Sequence, residues 1–87
     1  MTRDQEIRDE VLLQLAAAFP EPVPVHRLHR QARRGGFDYA EGELTKAAAY
    51  LAGLTPPLAE EVIDPATNAT RWKATSAGVA HHERFGN

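Results

Sequence analysis

The 87-residue chain has no cysteine, one methionine, one tryptophan and no strong excess of either charge. Without cysteine there is no disulfide, no thiolate nucleophile and no sulfur-ligated zinc, which fits a reducing compartment. No apolar run approaches the roughly 20 residues needed to cross a bilayer. Met1 to Glu10 carries alternating charges where a secretory leader would be apolar. A cytoplasmic chain without a membrane span is the expectation. Ten Lys and Arg against twelve Asp and Glu give a formal net charge of −2. That balance excludes a polycation that coats nucleic acid or anionic lipid by overall charge alone.

Metal and catalytic constellations are also sparse. His26 and His29 share a helical spacing and His81-His82 are adjacent, but no Asp or Glu stands at ligand spacing beside either pair. Ser76 has no strand-turn-helix elbow around it, and no glycine-rich phosphate loop is present. No metal, cofactor or enzymatic activity is therefore expected. Repeats, low-complexity tracts and long linkers are missing, so residues 1–87 are expected to form one domain. A domain of this size has little core to spare for a large pocket, which favours a binding module.

Between Arg3 and Phe19 the apolar residues Ile7, Val11, Leu12, Leu15, Ala18 and Phe19 recur at spacings of three and four. Arg3, Asp4, Glu6, Arg8, Asp9, Glu10 and Gln14 fill the other face, predicting an amphipathic helix over about 3–19 with Thr2 as N-cap. Pro20, Pro22 and Pro24 end it, with a brief strand near Val23 to Val25. A second helix over about 25–34 turns Val25, Leu28 and Ala32 inward and stops at Gly35-Gly36. Asp38 followed by Glu41 has the form of a helix start, so a third helix is expected over about 39–52, burying Leu44, Ala47, Ala48 and Leu51.

Leu58 to Ile63 and Ala69 to Thr75 alternate as strands around the turn residues Asp64 to Asn68, predicting a β-hairpin over about 58–75. Thr70, Trp72 and Ala74 share one face, with Trp72 as a core anchor, while Arg71 and Lys73 share the other. Ser76-Ala77-Gly78 closes the second strand, and residues 79–87 suffice for a short terminal helix or a tail. The fold class is α+β.

Three helices followed by a hairpin in about eighty residues resemble a winged helix-turn-helix domain. The resemblance is carried by the second helix around Val25, Leu28 and Ala32, the Gly35-Gly36-Phe37 turn and the third helix from Glu43 to Leu51. The segment Trp72-Lys73-Ala74-Thr75-Ser76-Ala77-Gly78 is similar to the aromatic-x-x-Thr-x-x-Gly ending of many bacterial winged-helix regulators. What the resemblance implies is duplex DNA binding, with the third helix in the major groove and the hairpin wing on backbone or minor groove. It further implies a small transcriptional regulator of bacterial or phage type.

The distribution of charge bears on that implication. Residues 23–38 hold Arg27, Arg30, Arg33 and Arg34 against Asp38, a net +3, and residues 64–87 net +1. Residues 1–22 and 39–63 each net −3. Arg27, Arg30 and Arg34 form one helical stripe beside a second stripe of His26, His29 and Arg33. Arg27, Arg30, Arg34, Arg71 and Lys73 are thus the candidate phosphate contacts, and Tyr39, Thr45 and Lys46 the candidate groove-facing residues. The alternative for the second helix is a solvated face paired with acidic residues of the first helix. The third helix lacks Arg, Asn and Gln for bidentate base reading, and Glu41 and Glu43 oppose phosphate. A protein–protein adaptor that keeps the fold without its DNA face, using Gly42, Ala49, Tyr50 and the acidic flank of the third helix, is the competing expectation. One readable helix gives few contacts, so a homodimer through the first helix is expected.

Overall fold

The computed structural model describes residues 2–86. Its elements run α1 (Arg3–Ala18), β1 (Val23–Pro24), α2 (Val25–Arg34), α3 (Glu41–Ala52), β2 (Ala59–Ile63), β3 (Thr70–Ala74) and α4 (Ser76–Phe85). Met1, and Asn87 at the end of the expected tail, lie outside the described residues. The chain is a small α+β domain of four helices and a three-stranded antiparallel sheet.

Helix α1 begins where Thr2 Oγ1 accepts from the Gln5 amide at 3.2 Å, satisfying one of the amides that the first turn leaves without an intrahelical acceptor. Ile7, Val11, Leu12 and Leu15 are buried, as their spacing predicts. Two expectations for this helix need correction. Gln14 is buried rather than solvated, and its Nε2 donates to the Leu28 carbonyl of α2 at 3.1 Å and to Glu10 at 2.6 Å. Phe19 caps the helix with extended backbone, so its ring leaves the apolar stripe and is exposed.

Leu28 and Ala32 of α2 and Leu44, Ala47, Ala48 and Leu51 of α3 close the core over α1. Leu15, Leu28, Leu44 and Val11 are its largest fully buried side chains. Each contributes about 1.5–3 kcal/mol relative to exposure. Helix α3 starts two residues later than its sequence suggests. Ala40, not Asp38, is the N-cap, and its amide donates to Glu43 Oε1 at 3.0 Å. A glutamate reaching back to the N-cap amide performs half of a capping box, which is why an alanine can hold this position.

The sheet has the order β1-β3-β2. Val23 pairs with Trp72 and Pro24 with Arg71, so the proline lies on an edge strand, where its missing N–H costs no ladder bond. In the hairpin Ala59 faces Ala74, Glu61 faces Trp72, and Glu60 faces Lys73. Trp72 and Ala74 are buried beneath the helices, so the expected core role of Trp72 is borne out. The turn is closed by the Asp64 amide on the Ala69 carbonyl at 2.9 Å and the Asn68 amide on the Asp64 carbonyl at 2.8 Å. Asn68 has φ 57°, a left-handed value that asparagine tolerates better than most residues.

Ser76-Ala77-Gly78 does not close the strand but opens α4. Thr75 is its N-cap, accepting from the Gly78 amide at 2.9 Å and donating its hydroxyl to the Pro57 carbonyl at 2.6 Å. Gly78 lies so close to the Leu58 backbone that a Cβ there would collide with the Leu58 carbonyl. The Trp72-x-x-Thr75-x-x-Gly78 spacing is thus a junction: a ring buried under the sheet, a hydroxyl that starts the next helix and ties it to Pro57, and a glycine that seats it. No helix among the described residues is long and apolar enough to cross a membrane.

Candidate functional site

Helix α2 carries the densest positive charge in the molecule. Its ten residues include Arg27, Arg30, Arg33 and Arg34, two histidines and no carboxylate, and all four arginines are exposed. The Leu28/Ala32 stripe must face the core, so the remaining positions face water by helical geometry. Arg33 and Arg34 sit in the last turn, where the helix dipole favours cations. Arg27 lies in the first turn, where the dipole opposes it, and Arg27, Arg30 and Arg34 repel one another at i,i+3 and i,i+4. Folding gains little from this arrangement, so its use is to be sought outside the fold.

None of the four arginines makes an ion pair within the described residues. Solvated arginines, rather than a face paired with α1, are what the structure places there. His26, His29, Arg30, Arg33 and Arg34 line a shallow depression between α2 and the start of α3, where Glu41 is the one carboxylate.

Several cations elsewhere are engaged. Arg3 forms a fork on Glu43, with Nε to Oε2 and Nη2 to Oε1 both 3.0 Å, and also donates to the Asp38 carbonyl at 3.1 Å. Hydrogen bonding from Arg3, then from the Ala40 amide, draws the Glu43 carboxyl from its ordinary 4.5 down to about 2. The Arg8 guanidinium lies 3.8 Å from the centre of the Tyr50 ring. On the outer face of the hairpin Lys73 pairs with Glu60 at 3.0 Å, and Arg71 approaches Asp64 at 3.8 Å. The candidate hairpin contacts Arg71 and Lys73 do share a face, but each faces it with a carboxylate beside it. Sequence spacing missed Glu60 and Asp64 as their partners. The signal that could have found Glu60 is the hairpin register, which sets it directly across from Lys73.

Of the candidate groove-facing residues, Thr45 and Lys46 are exposed on α3 together with Gly42 and Ala49. Tyr39 is a correction. It precedes α3, is only 4% exposed, and stacks on Phe37 with ring centroids 5.1 Å apart and planes at 14°. Arg3 covers it from outside at 5.2 Å. Projecting Tyr39 onto a helical wheel fails because the backbone is not yet helical there. Its ring belongs to the core, and α3 offers Thr45 and Lys46 alone of the three.

Among the described residues no group of three His, Asp or Glu side chains converges as a metal site. No family model, no curated protein and no solved structure matches this chain with significant similarity.

Proposed function

We propose that this chain is a winged helix-turn-helix domain that binds duplex DNA chiefly through the phosphate backbone. The order α1-β1-α2-α3-β2-β3-α4, with a helix pair preceding a two-stranded hairpin, supports that reading of the fold. One observation carries the function: the four arginines of α2 are exposed and unpaired among the described residues, while Arg3, Arg71 and Lys73 have carboxylate partners. A dense polyanion would relieve the repulsion within α2 and supply the counter-charge the fold withholds.

In this account Arg27, Arg30 and Arg34 hold phosphates of one strand, and Lys46 with Thr45 approaches the groove from α3. Arg71 and Lys73 join by exchanging Glu60 and Asp64 for phosphate, a small cost because exposed ion pairs contribute only about 0–1 kcal/mol. With one lysine and one threonine facing the bases, sequence discrimination is modest and affinity is largely electrostatic. Occupancy of a promoter-proximal site, blocking or positioning other proteins, is the regulatory role such binding serves.

The adaptor reading draws on a specific observation as well. The outer face of α3 is made of Gly42, Thr45, Lys46, Ala49 and a half-exposed Tyr50, a composition that suits a protein surface as well as a groove. Fluorescence anisotropy with a labelled duplex across a salt series separates the two. DNA binding predicts log affinity falling with log salt at a slope of about −4, from about −0.9 per phosphate neutralised. Absence of binding at low salt would sink the DNA reading and leave the adaptor.

A further inference from the structure

Three of the large apolar side chains left exposed, Leu13, Phe37 and Phe85, line one groove between α1 and α4. Leu12 contributes to its floor. Phe85 is 69% exposed at the end of α4 and rests mainly on His81, with ring centroids 4.9 Å apart. The α1 wall carries Glu6, Asp9 and Glu10, none of which makes an ion pair among the described residues. The α4 wall carries His81 and His82, with Arg84 on the same helix and equally without a carboxylate partner.

We propose that this groove is the interface of a symmetric dimer, in which α4 of each copy lies along α1 of the other. A two-fold interface brings the same patch together with itself, so the patch must contain both members of every complementary pair. This groove does. Phe85 is a projecting ring, and Leu12, Leu13 and Phe37 form an apolar surface to receive one. Glu6 and Asp9 are acids without an ion pair, Glu10 is held only by Gln14, and His81, His82 and Arg84 are the bases that meet them when the copies are turned about. A foreign partner would need to bring both features, whereas a second copy already has them. The arginines of α2 do not line this groove, so the dimer leaves them free and doubles the basic surface.

The proposal sharpens the expectation of pairing through the first helix by adding α4, and it stands apart from the DNA reading. Its test is sedimentation velocity of the full chain from low to several hundred micromolar, without DNA, for the native protein, Phe85→Glu and Asp9→Lys. Both substituted side chains are at the surface, so thermal melting by circular dichroism should be unchanged. The native chain should dimerise, and each variant should weaken the dimer at least about tenfold, as loss of a central anchor or a charge pair does. A chain that stays monomeric throughout overturns the proposal, and so does a dimer unmoved by both substitutions. A monomer that instead takes up an amphipathic basic peptide in the groove overturns the second copy as its occupant.

Discussion

Helix α2 and the β2–β3 hairpin each turn cations outward, yet the hairpin matches Lys73 to Glu60 at 3.0 Å and Arg71 to Asp64 at 3.8 Å, whereas α2 sets four arginines together without a carboxylate. The hairpin cations are spent locally. They quiet the outer face of a small sheet, and any polyanion that reaches them meets their acidic neighbours too. The α2 cations are held in mutual repulsion by a buried stripe of Leu28 and Ala32. Counting Lys and Arg would rank the two regions by number. Pairing ranks them by the field they present to a ligand, and only α2 presents an uncompensated one.

The sharpest break of this contrast is the fourfold variant Arg27→Ala, Arg30→Ala, Arg33→Ala and Arg34→Ala. Duplex affinity at low salt should fall at least a hundredfold and the salt slope should flatten by about three units. Its melting temperature should hold or rise, because each removed like-charge pair relieves roughly 0.2–0.5 kcal/mol and alanine favours the helix. Collapse of the fold would show that the arginines have structural partners after all.

Structural dependence belongs instead to the hairpin end of the molecule. Gly78→Ala should cost about 3 kcal/mol in a urea titration, because the new methyl meets the Leu58 backbone, which cannot rotate away. Gly42→Ala on α3 is the counterpart: nothing lies within 4 Å of its Cβ position, so it should stabilise by roughly 0.5–1 kcal/mol. Equal losses at the two glycines would contradict the described seating of α4.

Freeing the hairpin cations should make that region more like α2. Glu60→Gln with Asp64→Asn is expected to strengthen duplex binding about threefold and steepen the salt slope by up to about two units. No change would mean that the hairpin lies away from the nucleic acid.

The smallest effect concerns the Arg3–Glu43 fork. Glu43 titrates lower in the folded protein, at about 2, than its ordinary 4.5. Its contribution to stability is therefore complete above about 4.5 and is lost as pH falls towards about 2. The melting-temperature gap between the native protein and Glu43→Gln should narrow over that window. A gap independent of pH would show that the pair does not hold α3.

Local patterning made most of the fold legible. The three- and four-residue spacings of Val11, Leu15, Leu28, Leu44 and Leu51 locate three helices, and alternation around Trp72 locates β3. What was not legible depends on distant contacts. Tyr39 reads as a helix-surface residue until Phe37 stacks on it and Arg3 covers it. Gln14 reads as solvated until the Leu28 carbonyl arrives beside it. The start of α4 at Ser76 was hidden because Thr75 and Gly78 acquire their roles only once Pro57 and Leu58 are alongside. For the candidate site, the arginine stripe of α2 was visible in spacing alone, but its isolation was not. That needed the structure to show which carboxylates found other cations.

The most direct test of the central claim compares two neutralised proteins on one duplex: the fourfold α2 variant and Arg71→Ala with Lys73→Ala. If the α2 arginines supply most of the phosphate contacts, the first should lose about three units of salt slope and the second less than about one. Equal losses, or a larger loss from the hairpin, would contradict the account.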